Sequence, residues 1–175
     1  MQGEQGSLEK FLLSSKGGDW MKWKIEKMQM RYASQIVNWK YEPPYNLYNL
    51  DNTKETVSEM LNDSYYAVIF HNELVGFYCS GMSAQVPIGH DNQAYEESML
   101  DIGLGLKPSW TGKGNGKRFI ATILDDIQRK HGSVPIRLTV ANFNERAIKL
   151  YDNVGFEMKG HFHRGEMKFI TMVKK

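Results

Sequence analysis

The residues best suited to chemistry lie in the stretch PSWTGKGNGKRF (108–119). There Gly112, Gly114 and Gly116 alternate between Lys113 and Lys117 and lead directly into an apolar run. Glycine leaves the backbone N–H open and adopts positive φ at little cost, and a helix start adds free N–H donors and partial positive charge. The combination makes an anion site, most often for phosphate. Counting rules out two common nucleotide motifs. A Walker loop needs glycine six positions before Lys117, where Thr111 stands, and Ser or Thr after it, where Arg118 stands. A dinucleotide fingerprint needs a third glycine where Lys117 or Phe119 stands. A phosphate loop of a third kind and a plain glycine-rich strand-to-helix turn both stay open.

Other reactive side chains are scattered. His161 and His163 share a strand face, but no third ligand is spaced to join them, so they read as surface histidines and no metal is expected. Cys79 is the one cysteine and reads as apolar filler in a strand. The segment WKYEPPYNLYN (39–49) gathers Trp39, Tyr41, Tyr45 and Tyr48. These rings either form an aromatic slot, with Glu42 attracting a cation, or close the core over neighbouring helices.

These residues need a scaffold, and the composition supplies one. With 175 residues, 41% hydrophobic and 12% aromatic, the chain has the material for a single compact domain over 21–175. Residues 1–20 carry Gly, Ser, Gln and Lys without periodicity and read as a flexible N-terminal extension or a cloning leftover. A net charge of +2 gives no reason to expect nucleic acid or a membrane as partner. No run approaches the roughly 20 apolar residues of a membrane span, and a soluble, cytoplasmic protein is expected.

Alternation over 21–28 predicts a strand, and helical spacing through Tyr32, Ile36 and Trp39 predicts a helix. After the proline-containing loop 41–52, TKETVSEML reads as a helix capped by Asn52 or Thr53. Residues 65–81 read as a hairpin turning at His71-Asn72-Glu73, and 84–97 as a loop. The strand 98–108 contains Gly103 and Gly105, which suggest a bulge or close backbone approach. A helix follows the glycine loop and ends near His131-Gly132. Then come the strand PIRLTVAN, a helix over NERAIKLYDNV and a terminal hairpin. The order β-α-α-β-β-β-α-β-α-β-β predicts an α/β domain whose mixed sheet combines antiparallel hairpins with a parallel crossover.

In that context the chain resembles the GCN5-related N-acetyltransferases (GNAT). The family's [RQ]-x-x-G-x-[GA] signature lies over TGKGNG (111–116), with Thr111 where Arg or Gln is usual, and its second signature lies over NFNERAIKLYDNVGF (142–156). The strand LDIGLGLKP is similar to that of the ribosomal-protein N-terminal acetyltransferase branch, with Asp101 in place of Glu.

The resemblance implies a mixed sheet of six or seven strands flanked by helices and splayed between 98–107 and 135–141. It also implies acetyl-CoA as co-substrate. Thr111, Gly112, Lys113, Gly114, Asn115, Gly116 and Lys117 would cradle the pyrophosphate, and Leu104, Leu106 and Asn144 would meet the pantetheine arm. Asn144 is equally a helix cap. A neutral primary amine would attack the thioester, which calls for two proton-handling positions. Tyr151 matches the tyrosine that protonates the departing sulfur, with a core role as its alternative. Asp101 is the first candidate for the base, and His90, Glu96 and Glu97 follow. Trp39, Tyr41 and Tyr45 lie where the family builds its acceptor wall. The acceptor would be a small-molecule amine or a peptide N-terminus, and the chain a monomer or homodimer. A non-catalytic acyl-CoA-binding module is the rival reading, and a structural domain the third.

Overall fold

The computed structural model describes residues 23–175, so the reading of 1–20 as an extension lies outside the described residues. Seven strands form one sheet: β1 (Lys24–Lys27), β2 (Tyr65–Phe70), β3 (Glu73–Ser80), β4 (Leu100–Leu106), β5 (Ile136–Ala141), β6 (Glu157–Arg164) and β7 (Met167–Lys174). Their order is β1-β2-β3-β4-β5-β7-β6, and all neighbours are antiparallel except β4 and β5. Among the described residues five α-helices accompany them: α1 (Met30–Ile36), α2 (Lys54–Met60), α3 (Ile88–Asp91), α4 (Gly116–His131) and α5 (Glu145–Asn153).

Local chemistry accounts for the boundaries. The β2–β3 hairpin turns on His71 and Asn72 at φ 49° and 60°, the left-handed conformation that a two-residue turn between right-twisting strands requires. Thr53 caps α2 by accepting the Thr56 N–H at 3.1 Å, and α4 ends at Gly132 with φ 70°. The segment 84–97, expected as loop, contains the short helix α3, and a 3-10 turn over Gly81–Ala84 leads into it. Four-residue helical turns lack the length that makes periodicity visible in sequence.

The sheet divides two cores. Val68, Val75, Tyr78 and Ile102 face α4, where Phe119, Ile120, Ile123 and Ile127 fill the apolar stripe. Their strand neighbours Ala67, Ile69, Leu74 and Cys79 pack with Tyr32, Ala33, Ile36 and Met60 of α1 and α2. The period-two alternation of β2 and β3 thus serves both faces.

The feature that shapes the site is the parting of β4 from β5. Their ladder has three pairs, Leu100↔Ile136, Asp101↔Arg137 and Ile102↔Leu138. Beyond it β5 continues only with β7, as far as Ala141↔Phe169. Gly103 and Gly105 lie just past the last pair, and the close backbone approach expected of them is to side chains on β3. A Cβ at Gly105 would stand 2.4 Å from the Phe77 ring, and one at Gly103 3.1 Å from Cys79 Sγ.

At the last closed rungs, Arg137 Nε and Nη2 donate to the two Asp101 carboxylate oxygens at 2.6 and 2.9 Å, and Nη1 donates to the Glu97 carbonyl at 3.2 Å. Both side chains are 4% exposed, so each charge depends on the other for its solvation. Arg137→Met is expected to cost about 3–5 kcal/mol in urea unfolding by stranding a buried carboxylate. The double variant Arg137→Met/Asp101→Leu is expected to recover part of that loss.

Candidate active site

The glycine loop is built as a cradle. Pro108–Trp110 form a 3-10 turn after β4, and the chain passes through Gly112 and Gly114 at φ 69° and 79° before α4 begins. A side chain at either position would be strained. Asn115 Nδ2 donates to the Trp110 carbonyl at 3.0 Å, which fastens the loop to itself. The helix start has no side-chain cap, whereas α2 and α5 are capped by Thr53 and Asn144. Its first N–H groups and positive dipole end are therefore available to an anion. Gly116 is small for a different reason, because a Cβ there would lie 2.9 Å from Leu150 Cδ2 of α5.

The loop opens into a cavity of about 740 Å³ that runs along the gap between β4 and β5. On β4 the register decides which backbone groups face that gap. Lys107 N–H bonds the Val75 carbonyl at 2.8 Å, so alternation turns Leu106 and Leu104 away from β3 and toward the missing β5 partner. Tyr41 reaches across and donates its hydroxyl to the Leu106 carbonyl at 2.8 Å.

The expected residues largely converge here. Leu104, Leu106, Thr111, Gly112, Gly114, Gly116, Lys117, Asn144, Tyr151, Trp39, Tyr41 and Tyr45 all line the cavity. Lys113 and Asn115 do not: Lys113 projects to solvent, and Asn115 serves the loop's own geometry. The Thr111 hydroxyl donates to the Pro108 carbonyl at 2.8 Å.

Tyr151 is 8% exposed. Burial, reinforced by the nearby Tyr48, pushes its phenol well above the ordinary tyrosine value, and no hydrogen bond from another described residue reaches its hydroxyl. It is thus a protonated donor aimed at nothing the protein supplies. Asn144 caps α5 by accepting the Ala147 N–H at 3.2 Å and donates to the Tyr48 hydroxyl oxygen at 3.3 Å. Tyr48 also accepts the Ala141 N–H of β5 at 3.3 Å. Burial raises the phenols of Tyr41 and Tyr48 as well, and it pushes the Cys79 thiol, also on the cavity wall, up to about 12. Cys79 therefore stays a thiol at neutral pH and is no nucleophile.

Asp101 lies elsewhere than a base requires. Its carboxylate is taken by Arg137 and by Gln85 Nε2, which donates at 2.7 Å, and it forms no part of the cavity wall. The strand alternation that places Leu104 and Leu106 sends Asp101 into the pairing with β5. His90, Glu96 and Glu97 line no part of the cavity either, and Glu97 pairs with Lys159 at 3.0 Å. His161 and His163 meet edge to face at 5.8 Å. Among the described residues no cluster of three or more His, Cys, Asp or Glu gathers to hold a metal, and no helix is long and apolar enough to cross a membrane.

Three cavity residues escaped the sequence reading. Arg146 stacks over Tyr45, 4.5 Å from the ring centroid, and a Cβ on Gly112 would lie 3.4 Å from its Nη1. It brings a cation to the loop that Thr111 does not supply. Lys149, one helical turn on, adds another. Gln85 comes from the segment read as featureless loop. Arg146 was visible as a cation in the first turn of α5, inside the second quoted signature, but only the fold brings it to Gly112.

The match to the acetyltransferase (GNAT) family model runs over residues 29–156. The chain belongs to that family. A search of curated proteins finds no match. Among solved structures it is similar to aminoglycoside acetyltransferase AAC(6')-Ib bound to ribostamycin and coenzyme A, with TM-score 0.68 at 18% identity over 88% of this chain and 93% of that one. It also resembles a protein from Bacillus halodurans, with TM-score 0.70 at 15% identity over 87% and 83%. A spermidine N-acetyltransferase chimera from Vibrio cholerae and hSSAT aligns with TM-score 0.61 at 19% identity over 87% and 94%. At these identities the likeness is one of fold.

Asn144→Ala is expected to destabilise the protein by about 1 kcal/mol through the lost cap, read as a lower urea midpoint with unchanged slope.

Proposed function

We propose that the protein is an N-acetyltransferase that moves an acetyl group from acetyl-CoA to a primary amine by direct attack within a ternary complex. One observation carries the reading. The unpaired edge of β4, an uncapped glycine-rich helix start and a buried phenol without a hydrogen bond all open on one cavity.

The described residues fit this co-substrate. The N–H groups from Gly112 to Lys117, with Lys117 and Arg146, hold the pyrophosphate at the positive end of α4. Leu104 and Leu106 offer their N–H and C=O groups to the pantetheine amides, so that the arm takes the place of a strand. Acetyl-CoA supplies the acyl group as a thioester. As the amine nitrogen bonds the acyl carbon and the C–S bond breaks, Tyr151 gives its proton to the sulfur and takes one back from water, since burial disfavours a lasting phenolate. The amine's own proton leaves to water at the cavity mouth. Asp101 acts at one remove, by fixing the strands and Gln85.

The acceptor is a small-molecule amine or a peptide N-terminus. The likeness of LDIGLG to the ribosomal-protein branch favours the peptide, and it is the only feature that does. An acetyl-CoA-dependent reaction and a single unpaired cysteine fit the cytoplasm. A non-catalytic acyl-CoA-binding module is the second reading, favoured by the absence of any carboxylate among the described cavity-lining residues.

Amine-dependent thiol release from acetyl-CoA tests the choice, since a binding module would show none. Tyr151→Phe is expected to lower kcat by at least about 10²-fold while acetyl-CoA affinity is retained; unchanged turnover would remove Tyr151 from the reaction. Gly114→Val forces a β-branched residue to φ 79°, at a strain of about 1–3 kcal/mol. It is expected to weaken acetyl-CoA binding at least tenfold by calorimetry, about 1.4 kcal/mol.

A further inference from the structure

The chemistry of the cavity wall narrows the acceptor. Beyond the glycine loop the lining is dominated by the rings of Trp39, Tyr41, Tyr45, Tyr65 and Phe77 and by aliphatic side chains, with the neutral polar groups of Asn49, Ser83, Gln85 and Thr139 among them. Among the described lining residues the charged ones are Lys117, Arg146 and Lys149, all basic; Arg146 stands between Gly112 of the loop and the Tyr45 ring. Taking a cation out of water costs several kcal/mol unless an opposite charge receives it. A molecule with three or four ammonium groups finds no carboxylate among the described residues of this wall to receive them. A ring-sized apolar body finds aromatic faces.

One polar group on the wall is unspent. Gln85 Nε2 donates to the Asp101 carboxylate at 2.7 Å, and because an ionised carboxylate only accepts, the amide cannot be turned the other way round. Its Oε1 is consequently fixed as the free end, and it is shielded from solvent with no hydrogen-bond partner. A buried acceptor left unpaired is costly. To accept an N–H from the cavity, Oε1 has to turn out of this shielded position while Nε2 keeps its bond to Asp101. Arg137, Asp101 and Gln85 thus form a relay from the β4/β5 junction to the acceptor end.

We infer, resting on the transferase reading, that the acceptor is a primary monoamine carried on an uncharged, apolar, ring-sized body, and that Gln85 Oε1 positions it by accepting the amine N–H. Polyamines and aminoglycosides, the ligand classes of the structural relatives above, are poor acceptors for this chain.

The test measures thiol release from acetyl-CoA with 2-phenylethylamine, tryptamine, spermidine and kanamycin, alongside calorimetric titration of acetyl-CoA into the same protein. The inference expects kcat/KM for the ring-bearing monoamines to exceed that for the two polycations by at least about 10²-fold, the scale of one uncompensated charge. It also expects Gln85→Ala to raise the monoamine KM about tenfold, the scale of one lost hydrogen bond, with acetyl-CoA affinity unchanged. Equal or better use of spermidine or kanamycin would overturn the inference and leave the transferase reading standing. An unchanged monoamine KM in Gln85→Ala would overturn the positioning role. Acetyl-CoA binding with no turnover of any amine would overturn the transferase reading, and this inference with it.

Discussion

The site depends on a buried ion pair between two parallel strands. Asp101 and Arg137 face each other in register on β4 and β5, one rung before the ladder ends. Their bidentate contact, closed to solvent, fixes how near the strands lie at their base and hence the angle at which they part. A buried pair of this kind adds little net stability over an apolar one, but removing either partner alone is costly. Its value here is geometric. The strands part at a defined point, and the polar edge exposed on β4 becomes a surface for an extended ligand arm.

Two further constraints converge on that opening. The crossover from β4 to β5 through α4 must be right-handed and must begin with a helix N-terminus near the end of β4. The glycine loop leaves that terminus without a side-chain cap and its backbone bare, so free N–H groups and the positive end of α4 fall at the mouth of the gap. The second helix, α5, follows β5 and returns along the other side of the gap with Tyr151, Arg146 and Lys149 on the cavity wall. Phosphate charge, amide edge and proton donor are thereby placed in sequence along one cleft by element order alone. The aromatic segment between α1 and α2 closes the cleft from above, tied to β4 through Tyr41 and to β5 through Tyr48.

Much of this was legible in the sequence. The sheet's element order, both hairpins and the parallel crossover follow from periodicity and turn chemistry, because each strand carries its own alternation and each long helix its own stripe. The glycine loop was legible from spacing and Tyr151 only through the resemblance of NFNERAIKLYDNVGF to the family's second signature; both line the cavity. What escaped depends on pairing across the chain. Asp101 reads as a free strand-end carboxylate until Arg137, 36 residues later, takes it. Gly103 and Gly105 read as a bulge or a close approach, and only the fold shows that Phe77 and Cys79 are what approaches. Arg146 and Gln85 gain meaning only from neighbours far along the chain. Local pattern reveals elements; it does not reveal which charge will be neutralised by which.

The central claim is that an acyl-CoA co-substrate lies along the open edge of β4 with its phosphates on the start of α4. Backbone amide exchange with and without acetyl-CoA tests it at single residues. The account predicts slowed exchange at Leu104, Leu106 and the amides from 112 to 117, with little change on β1, β2 and β6. Protection confined to other surfaces, or none at saturating acetyl-CoA, would contradict it.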